Sequence, residues 1–512
     1  MESVVQYLLL ALALASVQIS HTESRLNEKR RDKTERRHHT AQVKDNICEI
    51  TDRESKVHCY CENTEVRTAT RADCWVFNGG IDETDPIWSS FNSQPRIERL
   101  TFNVRSDGAL KFIPLHVIHR LKRLQKLLIH YATINKIEKK TFSNMTTLKE
   151  ITLMNNKITE LDFSSFTNLP ALVNLTIKEN KVTEVQRDVF VDLPALRYLD
   201  LSFNVINLAH DGCFEHLTLL SELILEYNSI TVLTRDTFRG LANLTRLDLR
   251  SNKLSMIGDL TFTELWNLNE LLLDNNELRY LSERAFDGLA LLQKLSMTGN
   301  KLRSINERLL EGVRGLELLD LRNNELEFFT YETVKPILDN LKLKTSVLYL
   351  SGNQLTCDCR LSWIHVLRNE TKSEPLRLAL DDVTCVPNKP NDKPTNEISS
   401  QTNVEKEENQ FEVSANSDVF QQDANDEESY EEASPTYKYE ATVSPVTFDQ
   451  VVLLDMPIEA LACRNELSQN GEDSLMLSSK DESYWRPSSS FRILSNLSLV
   501  LTLVTISFLI EL

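Results

Sequence analysis

Three observations predict an α/β solenoid, a stack of short units with a parallel concave β-sheet and cysteine-sealed ends. Asparagines recur every 24 residues at Asn156, Asn180, Asn204, Asn228, Asn252, Asn276, Asn300 and Asn324. Apolar residues keep fixed offsets from them: Leu244, Leu247, Leu249, Leu254, Ile257, Phe262 and Leu265 in one period, Leu268, Leu271, Leu273, Leu278, Leu281, Phe286 and Leu289 in the next. Eight of the nine cysteines fall into two groups that bracket this array. A unit of this length cannot bury its apolar face alone, so such a period signals units stacked on one another.

The pattern L-x-x-L-x-L-x-x-N-x-L is that of a leucine-rich repeat in its 24-residue extracellular form. Leu247-x-Leu249 alternates, so each unit opens with a short strand whose leucines point inward. The asparagine then sits at a turn inside the coil, where a buried amide must bond neighbouring backbone groups. Phe142, Phe166, Phe190, Phe214, Phe238, Phe262 and Phe286 share one register and fill the convex side. Earlier units are degenerate: Ala132 stands where Asn is expected and Arg105 marks a unit before it. Asn353 closes the array after a five-residue insertion near Pro336. About ten units are expected over residues 97–356, closing into a horseshoe. These Leu, Asn and Phe residues pack and are not functional sites.

The chain has 512 residues and a net charge of −18. Its 41% apolar content is enough for a core, which excludes full disorder. The acidic balance argues against nucleic-acid binding. Residues 1–15, with the apolar run Leu8 to Ala15, read as a secretory signal peptide. Residues 16–45 form a basic arm with Arg30-Arg31 and Arg36-Arg37, open to heparan sulfate. At the far end, Ser488-Ser489-Ser490, a spacer and an apolar tail over 491–512 read as a lipid-anchor (GPI) signal with Ser488 as anchor residue. A membrane-spanning helix is the other reading of that tail. Residues 464–490 would be a stalk.

Raw ends of a stack need caps. Cys48, Cys59, Cys61 and Cys74 lie in residues 46–96, and Cys357, Cys359, Cys385 and Cys463 in residues 357–463. Disulfides suit an oxidising compartment, and zinc is the weaker reading of these groups. Cys213 is left over, buried on the convex side. Within the second group, residues 389–450 are polar and acidic, too poor in apolar surface to order themselves. Tyr430, between Asp426-Glu427-Glu428 and Glu431-Glu432, stands in a context suited to sulfation.

No phosphate loop, dinucleotide fingerprint, zinc-protease helix or nucleophile elbow occurs. No catalytic, metal or cofactor residue can be named, and the chain reads as a non-enzyme. Asn144, Asn174, Asn243 and Asn369 open glycosylation sequons. On the concave face, the alternates between inward leucines put Lys178, Tyr198, Asp200, Glu226, Asp248, Arg250, Asp274 and Arg322 outward as a candidate partner surface. Charges of both signs alternate there, and such a face can complement its own copy.

The cysteine groups resemble the N- and C-terminal caps of secreted leucine-rich repeat proteins. That likeness implies the pairs Cys48–Cys61, Cys59–Cys74, Cys357–Cys385 and Cys359–Cys463. The stretches R-E-S-K-V-H-C-Y-C (residues 53–61) and A-D-C-W-V-F (residues 72–77), the array and the tail together resemble the connectin-like family of leucine-rich repeat adhesion proteins. The resemblance covers most of residues 46–385. It implies a GPI-anchored, homophilic cell-surface adhesion molecule in neuron–muscle recognition or axon guidance. The other expectation is a lipid-anchored co-receptor for a soluble extracellular ligand, with the acidic insert as bait.

Overall fold

The computed structural model describes residues 46–387 apart from 51 and 53, together with 450–461 and 463. The signal peptide, the basic arm, Tyr430, the stalk and Ser488 lie outside the described residues.

Each period folds as its alternation dictates. Leu247 and Leu249 are fully buried, as are Leu271 and Leu273 one unit later. The strands they begin join a parallel sheet in strict register, Leu223 beside Leu247 beside Leu271 beside Leu295. The sheet has thirteen strands. The first two, Val57–Cys61 and Arg71–Val76, form an antiparallel hairpin, and Arg71–Val76 then pairs in parallel with Arg99–Val104. From Arg99–Val104 to Val347–Tyr349 the thirteen-stranded order leaves eleven parallel strands, one more than the ten or so units expected. Arg105, Ala132, the eight periodic asparagines and Asn353 are eleven positions, one for each of these strands; the first two units lack the asparagine, and Arg105 is exposed. Their strands are declared instead by buried Leu100 and Phe102, then Leu127 and Ile129.

The asparagines form the expected ladder. Asn252 Nδ2 donates to the carbonyls of Leu225 (2.9 Å), Leu249 (3.1 Å) and Arg250 (3.3 Å). Its Oδ1 accepts from Ile230 N–H at 3.0 Å, in the preceding unit. Ala132 still has its amide capped, by Asn156 Oδ1 at 2.9 Å. The convex phenylalanines stack, Phe142 on Phe166 at 5.1 Å and Phe262 on Phe286 at 6.2 Å. Truncating one inward leucine here costs about 2–5 kcal/mol, because the neighbours cannot collapse into the gap. The insertion before the last strand folds into helical turns, Tyr331–Val334 and Leu338–Leu341, that bury Val334, Ile337 and Leu341.

Both ends are plugged. Cys48 bonds Cys61 and Cys59 bonds Cys74, with Cα separations of 5.5 and 3.9 Å. Beneath them Trp88 packs edge-on against Phe102 and Phe112, each at 6.0 Å. At the other end Cys357 bonds Cys385 and Cys359 bonds Cys463. Helices Ser362–Glu370 and Glu374–Asp381 cover the last repeat. Trp363 is pinned there by donating Nε1–H to Phe329 O at 3.1 Å. Ser373 starts the second helix by accepting from Leu376 N–H, an N-cap interaction. Cys213 is buried and free, and burial pushes its thiol pKa up. No helix among the described residues is long and apolar enough to cross a membrane.

Candidate recognition surface

The concave sheet presents three rows of side chains, set two residues apart along each strand. The outer rows are long and charged. One runs Tyr198, Glu222, Arg246, Glu270, Lys294; the other runs Lys178, Ser202, Glu226, Arg250, Asp274, Thr298, Arg322. The middle row holds Asp200, Asp248 and Asp320. It was expected to face solvent as the others do, and it does not. Asp248 is 1% exposed, and Asp200 and Asp320 are buried as well. The longer neighbours on either side fold over these short carboxylates.

What they fold into is a network. Arg250 Nε and Nη2 donate to Asp248 at 2.8 and 2.6 Å, and Nη2 also reaches Glu226 at 2.8 Å. Arg246 contacts Asp248 at 3.3 Å and donates to Glu270, which Lys294 meets at 2.6 Å. Asp320 and Arg322 repeat the arrangement, with Nη2 at 2.5 Å, and Arg322 lies 4.3 Å over the Tyr349 ring. Asp358 and Arg360 repeat it again in the C-terminal cap. In all three pairs the Asp Oδ1 also accepts from the backbone N–H of the arginine. The unit is Asp-x-Arg, in extended chain at 248–250 and 320–322 and at the start of the helical turn Cys359–Leu361 in the cap, with the two side chains clasping each other.

The electrostatics follow. The hydrogen bonds that Arg250 and Arg322 donate to Asp248 and Asp320 hold both guanidinium groups firmly protonated. Burial, then the nearby Asp248 charge, pushes the Glu226 carboxyl up despite Arg250 and Lys178. Burial and the Asp200 charge push the Tyr198 phenol up to about 12, its OH 3.3 Å from Asp200. Asp274 accepts from Ser296 and from Thr298 N–H at 2.8 Å. Of the eight residues read as a partner surface, Lys178, Tyr198, Glu226, Arg250, Asp274 and Arg322 are half-exposed; Asp200 and Asp248 are withdrawn from contact and act through the side chains above them. Phe203 and Tyr227, two flanking positions that the alternation also places outward, stack with rings 4.4 Å apart, and Lys178 Nζ lies 4.8 Å over Phe203. Both rings follow residues on the sheet edge and sit at positive φ.

All four sequon asparagines among the described residues are exposed. Asn174 pairs in register with Tyr198, on the concave face itself. On the convex side Asp188, Glu215 and His216 bring ligand atoms within 4.8 Å of one another. Arg187 already spans both oxygens of Glu215 at 3.1 Å, so the trio is an ion-pair cluster.

The repeat is recognised by a family model, "Leucine rich repeat", over residues 122–181, 146–206, 204–254 and 242–302. Connectin of Drosophila melanogaster is 39% identical over 107 residues, which is 21% of this chain and 16% of that protein. The chain therefore matches less than a fifth of that relative's length. Among solved structures, a leucine-rich repeat protein of Leptospira interrogans aligns at 26% identity and a TM-score of 0.42, covering 53% of this chain and 64% of its own. An internalin of Listeria monocytogenes aligns at 19% identity and a TM-score of 0.41, covering 58% and 78%. With the asparagine ladder and the capped parallel sheet on the page, the chain has a leucine-rich repeat fold and is similar to Connectin over the segment the two share.

Proposed function

We propose that the protein works at the cell surface as a recognition and adhesion molecule that binds a copy of itself on an apposed cell, in the setting of neuron–muscle recognition or axon guidance. The observation that carries this reading is the segment shared with Connectin, set in a sulfur-capped extracellular type of array. A signal peptide over 1–15, a lipid anchor at Ser488, glycans on Asn144, Asn174, Asn243 and Asn369, sulfation of Tyr430 and heparan sulfate on the basic arm belong to the same proposal. Recognition here is binding and not catalysis.

The test is clustering of suspension cells that express the full chain. Aggregates between expressing cells support homophily, and single cells under conditions of confirmed surface display refute it. Release of the protein by a phosphatidylinositol-specific phospholipase tests the anchor. A second reading has its own observation. Half-exposed Arg250 and Arg322 stand over buried carboxylates, and Arg322 also lies 4.3 Å over the Tyr349 ring, a combination of Tyr and Arg common at interface centres. That concave row suits a soluble ligand, and a pulldown that retains a secreted protein from conditioned medium would favour the co-receptor role.

A further inference from the structure

The flank of the stack that follows each ladder asparagine carries a column of apolar side chains four residues beyond it. Leu208, Val232, Met256 and Tyr280 are 38%, 58%, 51% and 57% exposed. Each is followed by a buried residue, Ala209, Leu233, Ile257 and Leu281. Alternation therefore fixes the column outward. Side chains of this kind on neighbouring units form one continuous strip, on the order of 300–400 Å² of apolar surface, the size at which a patch on a monomer is often functional. Packing of the repeat does not require it, since the same position holds Lys136, Glu160 and Glu184 in earlier units.

Glycan placement separates this flank from the rest. None of the four acceptor asparagines falls within the seven residues after a ladder asparagine. Asn174 is on the concave sheet and Asn144 lies beside Phe142 of the convex stack. On the opposite flank the exposed Leu219 and Leu291 share their register with Asn243 and Asn267, so an acceptor interrupts them.

We propose that this strip is the surface through which the protein binds a second copy of itself, the two strips laid end for end about a two-fold axis. This rests on the homophilic reading and names its contact face. The charges at the two ends of the strip select that occupant. Before Leu208 the column holds Glu184. After Tyr280 it holds Ser304, which opens a hollow between Tyr280 and Phe328. Arg279 and Arg308 line the hollow, together with Glu283 and Glu307. Arg308 is bonded to Glu283 at 2.9 Å, whereas Arg279 makes no ion pair among the described residues. An isologous contact places residue i on j and j on i. Centred between Val232 and Met256, it sets Leu208 against Tyr280, Val232 against Met256, and Glu184 against the hollow beside Arg279. Among the described residues the Glu184 carboxylate is bonded by His210 at 3.0 Å, a partly buried contact, and by Gln186 at 2.8 Å, an exposed one. The end-for-end arrangement carries the two C-terminal caps to opposite ends of the pair, as a contact between two cells requires.

The experiment displays the full chain on suspension cells and compares wild type with Met256→Glu/Tyr280→Glu. Surface staining and the thermal midpoint of the secreted form should match wild type, because both residues are exposed. Clustering should fall to the level of untransfected cells. Glu184→Arg and Arg279→Glu should each weaken clustering, and mixing the two populations should restore it between them. If wild-type cells cluster and the double variant clusters equally, the face is wrong while homophily stands. If wild-type cells do not cluster at all, homophily falls and the second copy falls with it. Loss of a retained soluble protein by the double variant, with clustering untouched, would assign the strip to another partner and overturn the proposal.

Discussion

Replacing Asn252 by alanine is the sharpest test of how the stack is held. The side chain serves two units at once. Its amide donates to Leu225 O of the unit before, and its Oδ1 accepts from Ile230 N–H, also in the unit before. Alanine fills neither role: Ile230 N–H is left buried and unpaired, while Leu225 O keeps the bond that Asn228 Nδ2 donates at 3.0 Å. An orphaned buried donor or acceptor costs about 1–3 kcal/mol, and one is left here, so the loss should be of that size. Asn207, exposed and in the same turn region, is the control, and Asn207→Ala should shift stability by less than about 0.5 kcal/mol. Unfolding of a repeat array need not be two-state, so a denaturation midpoint is best read beside amide hydrogen exchange. The structure gives the direction of the effect. Exchange should accelerate at Ile230, whose amide Asn252 caps, while Leu254 stays protected, because Asn276 Oδ1 holds it at 3.1 Å. Unchanged protection at Ile230 with an unmoved midpoint would refute the ladder as a source of stability. Faster exchange at Leu254 instead would show that the bonds run the other way along the stack.

Four further outcomes follow from the same packing. Cys213 should resist maleimide in the native protein and react after denaturation, because it is buried with a raised thiol pKa; rapid native labelling would contradict its placement. Burial and the Arg99 charge lower the His130 pKa, and burial lowers those of His116 and His365. The unfolded chain then binds protons more readily, so stability is full above pH 6.5 and falls as pH drops below it; thermal midpoints at pH 7.5 and 5.5 should differ in that sense, and His130→Asn should flatten the difference. Gly240 has φ +84°, and a Cβ there would lie 2.5 Å from Glu215 O, so Gly240→Ala should destabilise by more than about 1 kcal/mol, read as a lowered denaturant midpoint. Asn174→Gln should remove one glycosidase-sensitive step in mobility and leave cell clustering intact, since Asn174 is on the sheet and not on the apolar flank.

The sequence made the stack legible because one period does one job throughout. Leu247, Asn252 and Phe262 each meet their own equivalents in the next unit, so spacing alone places them. What spacing could not supply was the depth of the concave rows. Asp248 and Arg250 alternate with leucine just as exposed residues would, and both were read as outward. They are outward, but the carboxylate is short and the guanidinium long, so one closes over the other. The signal was present as Asp-x-Arg at 248–250 and 320–322: residues two apart in extended chain share a face, and opposite charges there clasp. The apolar strip was hidden for a different reason. Met256-Ile257 and Tyr280-Leu281 are adjacent apolar pairs, and a pair does not reveal which member the core takes.

The two surfaces differ in what a partner must overcome. To engage Arg250 alone, a ligand must loosen it from Asp248, and an abandoned carboxylate at 1% exposure is costly. Breaking one member of a buried pair costs about 3–5 kcal/mol; a ligand avoids this only by binding the network whole, as a polar surface already satisfied. The flank holds nothing that must first be broken. Burying about 300–400 Å² on each of two copies is worth about 15–20 kcal/mol at 25 cal/mol per Å². Association consumes about 4–15 kcal/mol of that, besides the ordering of side chains. The difference does not fix an affinity, but a total of about 600–800 Å² is below the roughly 1,200–2,000 Å² of stable complexes, so one pair of molecules makes a weak contact. Two cell surfaces meet through many such pairs, and linked contacts multiply, so a shallow apolar strip is enough for adhesion while leaving each pair free to part.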